Sequence, residues 1–396
     1  MSPVAGVEFG AVAAGLKYKG RPDLFMAVFP KGTAAAGVFT KSKMPAAPVD
    51  WSKAALGETG GRIRCLLVNA GNANAFTGSK GKKAAEKSAK IAADVVGCAP
   101  EEVVLASTGV IGEPLNVSSF KKYLPRIYAG LSGALWKDAA TATSTTDTFP
   151  KGCSKVADIA GRPITITGIA KGSGMIAPDM ATMLGFVFTN ASVTPECLQA
   201  ILLEATDKSF NATTVDGDTS TNDTVYAFAT GNGNDIIDDI ADPRLDEFKR
   251  QFTDVMINLA QQVVRDGEGA SKFIEVTIEG AEDDAAAKRI ALTVANSPLV
   301  KTAVAGEDAN WGRVVMAIGR AGEAADRDKL QIWIGDQQVA VNGMVSSKYS
   351  EEDASAYMKN TNINIRAHVG ISDGRATVWT CDLTHGYISI NADYRS

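Results

Sequence analysis

The chemistry of this chain concentrates in Lys171-Gly-Ser-Gly-Met-Ile-Ala-Pro-Asp-Met-Ala-Thr-Met-Leu184, where a hydroxyl residue, Thr182, directly follows a small one, Ala181. The apolar run Met183-Leu-Gly-Phe-Val-Phe188 comes next. A chain that cuts itself at such a junction needs the threonine hydroxyl to reach back to the preceding carbonyl across an unobstructed backbone. Gly172, Gly174 and Ala181 keep side chains away from it, and Pro178 stiffens the approach. Cleavage between Ala181 and Thr182 would leave Thr182 as a new N-terminus carrying two reactive groups. Its hydroxyl is a nucleophile, and its α-amine, with a reference pKa of about 7.7–8.0, is a base near neutral pH. As pattern alone, the string also fits a glycine-rich turn leading into a buried strand.

A second candidate is Ala106-Ser-Thr-Gly-Val110, at the end of the strand-like run Val103-Val-Leu-Ala-Ser107. If the strand stops there, the Thr108 hydroxyl and the Gly109 amide are two donors able to converge as an oxyanion hole. One such donor is typically worth about 10²–10³ in rate. A plain strand-to-loop turn is the competing reading. The chain has only two histidines, His368 and His385, and no G-x-S-x-G elbow. His368 reads as a strand residue and His385 as a turn or packing residue. An enzyme this poor in histidine needs another base, which a terminal amine supplies.

Composition narrows the class. The 396 residues suffice for one large or two ordinary domains, and 45% hydrophobic with 21% charged residues are ordinary globular values. A net charge of −5 argues against a nucleic-acid partner, and the acidic stretch 234–247 reads as a solvated loop and helix start. No run of apolar residues is long enough for a membrane span, and the first residues lack a secretory pattern, so a cytoplasmic location is expected. Cys65, Cys98, Cys153, Cys197 and Cys381 are scattered, which fits reduced thiols and neither a disulfide frame nor a zinc site. Residues 215–224 resemble a calcium loop but lack its glutamate at position twelve, and 78–87 has the wrong glycine spacing for a phosphate loop. No metal is implied.

The elements that must position these residues are mixed. Strands are predicted at 25–29, 63–70, 103–108, 164–170, 183–190, 224–230, 273–280, 289–296, 329–335, 363–370 and 376–383. The strongest helix is 244–265, whose Leu245, Phe248, Phe252, Met256, Leu259 and Val263 fall at steps of three and four. Others are predicted at 80–96, 119–131, 194–207 and 308–321, with Glu307 and Asp308 in the first turn of the last. Residues 68–78 (VNAGNANAFTG) read as a close-packed loop, and the tail YISINAD as a strand. Strict βαβ alternation is missing, so the expectation is an α/β sandwich of sheets with helices outside, not a doubly wound parallel sheet.

Seven blocks in order extend the picture: VNAGNANAFTG (68–78), ASTGVIGEPL (106–115), TTDTFPK (145–151), VDGDTSTNDT (215–224), RDGEGASKF (265–273), AGEDANWGR (305–313) and INADYRS (390–396). With the Ala181–Thr182 junction, they resemble the ornithine acetyltransferase family (bifunctional glutamate N-acetyltransferase/ornithine acetyltransferase of arginine biosynthesis) over the whole chain. The resemblance implies a self-processing, N-terminal-nucleophile-type α/β fold. It implies autocatalytic cleavage into an α chain, 1–181, and a β chain, 182–396, forming one intertwined catalytic unit and assembling as a heterotetramer. It implies acetyl transfer from N-acetylornithine to glutamate by a ping-pong route through acetyl-Thr182, with Thr108 and Gly109 as the oxyanion hole and no cofactor. The resemblance leaves open whether acetyl-CoA also serves as an acetyl donor. Matching positions imply substrate binding by Thr145, Lys171, Thr182, Glu268, Asn391 and Ser396, where the family commonly ends in threonine. A self-processing aminopeptidase or amidase would share the nucleophile and differ only in what resolves the acyl-enzyme.

Overall fold

In Cys65-Leu-Leu-Val68, Leu66 and Val68 enter one apolar core while Cys65 and Leu67 enter another, and this period of two organises the layers around them. The computed structural model describes residues 1–177, 183–231, Gly233 and 235–392; Ala181, Thr182 and Ser396 lie outside the described residues. The chain divides into two compact units. Unit 1 comprises Met1–Asn211 and Asp218–Val263, and unit 2 comprises Ala212–Gly217 and Val264–Ser396.

Unit 1 holds two sheets. The first is built from β1 (Glu8–Val12), β2 (Leu24–Val28), β4 (Cys65–Asn72) and β5 (Val103–Val110), in the order β1-β2-β4-β5. The second is built from β3 (Ala34–Phe39), β6 (Lys151–Ile159), β7 (Arg162–Lys171), β8 (Leu184–Thr189) and β9 (Thr224–Ala229), in the order β3-β9-β8-β7-β6. Two neighbouring pairs are parallel, β4 with β5 and β8 with β9. A parallel pair needs a long crossover. The helices Gly78–Val96 and Pro195–Asp207 lie in these two connections.

The two sheets face each other across an aromatic layer. Phe9 and Phe25 of the first sheet meet Phe186, Phe188, Tyr226 and Phe228 of the second in one buried cluster, with Trp136 between them. Phe9 and Trp136 have ring centroids 4.1 Å apart, and Phe29 stacks on Phe228 at 4.4 Å. On the outer face of the first sheet, Leu24, Met26, Leu67 and Leu105 pack against helices Gly78–Val96 and Phe120–Ala129. The first of these helices presents Ala85, Ala89, Ala92 and Ala93 to the sheet, small residues that allow close approach. On the outer face of the second sheet, Leu259 and Val255 of helix Asp246–Arg265 press on Gly168 of β7. This is the expected α/β sandwich with helices outside.

Unit 2 contains one sheet of β10 (Phe273–Ala281), β11 (Gln331–Ile334), β12 (Gln337–Val341), β13 (Met344–Val345), β14 (Asn362–His368) and β15 (Gly374–Cys381), in the order β13-β12-β11-β14-β10-β15. Helix Asp284–Ala295 packs on β10 and β15. No helix among the described residues is long and apolar enough to cross a membrane.

Three sequence expectations are corrected. Residues 289–296 belong to helix Asp284–Ala295 and are not a strand. The Asp283 side chain caps the Ala286 amide, and Ala287, Ile290, Ala291 and Val294 form one buried stripe, so upstream helix formers override a short run rich in β-branched residues. The tail forms helix His385–Ala392 and not a strand, leaving Ile388 and Ile390 exposed. Helix Trp311–Gly319 starts after Glu307 and Asp308: Asn310 caps it, and Glu307 sits in the left-handed region at φ 59°.

The aromatic layer yields a test. Phe188 is fully buried against Phe9, Trp136, Phe29 and Phe228. Phe188→Ala is expected to cost about 3–5 kcal/mol of unfolding free energy, read as a lower urea midpoint with the slope unchanged.

Candidate active site

β4 and β5 run in register from Cys65–Val103 to Gly71–Gly109, after which Asn72 pairs with both Thr108 and Val110. The irregularity has a steric cause. Gly109 has φ 129°, and a Cβ there would stand 2.3 Å from the Gly71 carbonyl carbon and 2.6 Å from the Asn72 nitrogen. Backbone meets backbone, so the position admits glycine alone. The sequence expectation that the strand ends at Thr108-Gly109 is therefore corrected: β5 continues to Val110, and the pair sits in a local break of the ladder. The predicted strand 63–70 is borne out and runs on to Asn72, so the expected loop 68–78 begins later, after fully buried β4. Asparagines make that burial tolerable. Asn69 Nδ2 donates to the Asn72 carbonyl (2.8 Å), Ser107 Oγ donates to Asn69 Oδ1 (2.6 Å), and Asn222 Nδ2 donates to the Ala73 and Ser107 carbonyls (2.6 and 2.9 Å).

Lys171 is the last residue of β7 and is buried. Its Nζ donates to Thr108 Oγ1 at 3.3 Å, linking the end of the second sheet to the break in the first. A buried ammonium requires compensation, and Asp147 is a carboxylate whose charge acts with it. Asp147 Oδ1 accepts from Lys151 Nζ (2.6 Å) and from the Gly172 amide (2.7 Å), while Oδ2 accepts from the Thr145 amide (3.0 Å). Burial opposes ionisation of Asp147. The charges of Lys171 and Lys151, with the hydrogen bonds from Lys151 and Gly172, outweigh burial and lower its pKa to about 2. Thr145 and Lys171 are thereby tied to one carboxylate. In β8, Leu184 pairs with Lys171, and the Met183 amide donates to Asp223 Oδ1 at 2.8 Å.

In unit 2, Glu268 and Asn391 are brought together: Asn391 Nδ2 donates to Glu268 Oε2 at 2.8 Å and to the Tyr387 carbonyl at 3.0 Å. The turn that carries Glu268 lies directly against the start of helix His385–Ala392. A Cβ on Gly269 would stand 2.3 Å from the Tyr387 nitrogen, and Thr384 Oγ1 donates to the Gly269 carbonyl at 2.6 Å. Tyr387 Oη also donates to Asp216 Oδ2 at 3.0 Å. The tail is therefore held, though as a helix. His368 ends β14, where it packs on Gly280, and His385 begins the terminal helix. No group of three His, Cys, Asp or Glu residues among those described is arranged to hold a metal ion.

Sequence reasoning singled out Thr108, Gly109, Thr145, Lys171, Glu268 and Asn391, and passed over Asp147, Lys151, Asn222 and Asp223. The i, i+4 spacing of Asp147 and Lys151 inside TTDTFPK was the available signal for the first pair.

A family model described as the ArgJ family matches residues 8–396 of the chain. The chain is 55% identical over 400 residues to the arginine biosynthesis bifunctional protein ArgJ of Rhizobium meliloti (strain 1021), with 100% of this chain and 96% of that protein covered. It is 54% identical to the protein of the same name from Agrobacterium fabrum (strain C58 / ATCC 33970), with the same coverage. Among solved structures, the arginine biosynthesis bifunctional protein argJ from Bacillus halodurans is similar, with a TM-score of 0.51 and 39% identity, covering 52% of this chain and 97% of that one.

The Asp147 cluster predicts a pH effect. Its folded pKa of about 2 lies below the ordinary value of 3.8, so its contribution to stability is present above pH 4 and is lost as pH falls toward 2. The contribution is about 2 kcal/mol. Unfolding free energy measured between pH 5 and pH 2 should fall more steeply in the wild type than in Asp147→Asn.

Proposed function

This chain belongs to the ArgJ family, and from that premise we propose that it is an acyltransferase of arginine biosynthesis that moves the acetyl group of N2-acetyl-L-ornithine to L-glutamate through an ester on Thr182. The carrying observation is the contact of Lys171 with Thr108 beside Gly109. Lys171 pairs across the sheet with Leu184, two residues beyond Thr182. Strand pairing thus links Leu184, at the start of β8, to Lys171 and through its hydrogen bond to Thr108.

The chemistry runs in two stages. Thr182 Oγ attacks the Ala181 carbonyl, the acyl group shifts from nitrogen to oxygen, and water hydrolyses the ester to release the new N-terminus. In turnover, the free α-amine takes the proton of its own hydroxyl. The hydroxyl attacks the acetyl carbonyl while Thr108 and Gly109 stabilise the oxyanion, ornithine leaves, and glutamate accepts the acetyl group. Lys171 serves the substrate carboxylate and Glu268 its amine end, and Thr145, Asn391 and Ser396 are further substrate-binding positions. Acetyl-CoA is an alternative donor for the same acetyl-Thr182, and no cofactor takes part. Family membership favours this transferase over an aminopeptidase or amidase with the same nucleophile. The products 1–181 and 182–396 stay together and assemble as a heterotetramer in the cytoplasm. Supporting the two-chain reading, the Bacillus halodurans chain is 97% covered while matching only 52% of this one, so its length is about half.

Two tests follow. On a denaturing gel the mature protein should run as fragments 1–181 and 182–396, with Thr182→Ala uncut and inactive and Thr182→Ser still cut. A single uncut chain with full activity would refute the reading. Thr108→Ala should stay folded and turn over about two orders of magnitude more slowly, and an unchanged kcat in the fully processed variant removes Thr108 from the mechanism.

A further inference from the structure

A threonine hydroxyl can donate or accept, and an oxyanion hole needs it to donate. Thr108 is buried, and its Oγ1 accepts from Lys171 Nζ at 3.3 Å. An ammonium has donors only, so this contact runs in one direction. Among the described residues, nothing accepts the hydrogen of the Thr108 hydroxyl. Carbonyls around the break in the ladder are engaged elsewhere. Asn222 Nδ2 donates to those of Ala73 and Ser107, and Asn69 Nδ2 donates to that of Asn72. Native structures seldom leave a buried donor unspent without a use for it.

Strand geometry and charge hold the lysine at this post. Lys171 ends β7 and pairs with Leu184 of β8, and the amide of the next residue, Gly172, donates to Asp147 Oδ1 at 2.7 Å. Burial pushes Asp223, which the Lys171 charge also reaches, well above the usual carboxylate range. Asp147 stays ionised down to about pH 2 and so supplies the countercharge that a buried ammonium needs. An acceptor in the place of Lys171 would draw the Thr108 hydrogen back and turn oxygen lone pairs toward the oxyanion. A donor there does the opposite.

We infer that Lys171 is a positioning residue of the oxyanion hole, which by donating to Thr108 Oγ1 commits that hydroxyl to donate to the oxyanion. The inference rests on the acetyl-transfer reading above and gives Lys171 a second role beside the substrate carboxylate. An ammonium has three N–H groups, enough for both. Hydrogen bonds in series polarise one another, so the lysine charge also strengthens the Thr108 donor. Lys171 keeps its proton throughout, and no covalent bond changes at it.

The experiment measures kcat and KM with N-acetylornithine and glutamate for wild type, Lys171→Met, Lys171→Arg, Lys171→Gln, Thr108→Ala and the double variant Lys171→Met/Thr108→Ala. Rates are taken per cleaved molecule, counted on a denaturing gel, and circular dichroism establishes folding. Turnover of p-nitrophenyl acetate, an acetyl donor with no carboxylate, is followed alongside, with Thr182→Ala as background. Lys171→Met should lower kcat by about tenfold or more, toward the 10²–10³ worth of an oxyanion donor, and should slow p-nitrophenyl acetate turnover as well. The double variant should have the kcat of Thr108→Ala alone, because the lysine acts through that hydroxyl. Lys171→Arg, which also has donors only, should regain part of kcat. A role confined to the substrate carboxylate would raise KM, spare p-nitrophenyl acetate and add its full effect to that of Thr108→Ala. That result overturns the inference. If Lys171→Met fails to fold or to be cleaved, the other two variants decide, since a carboxamide accepts as well as donates: a kcat of Lys171→Gln equal to that of Lys171→Arg overturns it. A loss in Thr108→Ala with none in Lys171→Met strikes this inference alone, whereas an unchanged kcat in Thr108→Ala removes the oxyanion reading with it.

Discussion

Within unit 1, the demand that buried charge be matched governs the arrangement more than any single apolar contact. Lys151 and Lys171 are both buried, and the charge of each acts on the Asp147 carboxylate. A buried ion pair adds little net stability, because desolvation offsets most of its attraction. What it does fix is geometry. Asp147 can satisfy Lys151, the Gly172 amide and the Thr145 amide at once only in one orientation. That orientation sets where β7 ends and holds the Lys171 amine against the Thr108 hydroxyl of the opposing sheet.

The second requirement is closeness of backbone. Gly109 lies so close to the Gly71 and Asn72 backbone that it can carry no side chain, and the ladder is irregular at Asn72. Asn69 and Asn222 then take up the backbone carbonyls of Asn72, Ala73 and Ser107. The string VNAGNANAFTG is rich in small and amide residues for that reason: it ends a buried strand, and its amides substitute for missing strand partners.

Much of the fold was legible from periodicity. The apolar steps of helix 244–265 and the β-branched runs of β4, β5, β8, β9 and β10 declare themselves locally. Where the reading failed, the local signal was ambiguous. Arg289–Asn296 reads equally as strand or helix until the cap at Asp283 is noticed, and Ile388 with Ile390 alternates without being buried. The site was legible differently. Thr108 was visible both as the end of a strand-like run and through the resemblance, whereas Lys171, Glu268 and Asn391 came from the resemblance. Asp147 offered only its i, i+4 spacing to Lys151 and Asp223 no local signal, because a carboxylate in a sequence carries no mark of burial. Their importance arises from contacts with Lys171 and Met183, which are remote in the chain and adjacent only after folding.

The strand order of the second sheet, β3-β9-β8-β7-β6, bears on how the protein could ever be rebuilt once cut. β3, β6 and β7 precede residue 181, whereas β8 and β9 follow it, and the later pair is inserted between strands of the earlier set. A severed molecule would hold together through two rows of interstrand hydrogen bonds and the aromatic layer beneath them. Its unfolding would be unimolecular, but its reassembly would be a second-order encounter between two incomplete sheets with bare edges. Refolding would then slow with dilution and compete with aggregation. An uncut precursor would face neither difficulty, so the strand order favours folding before any scission at the proposed junction.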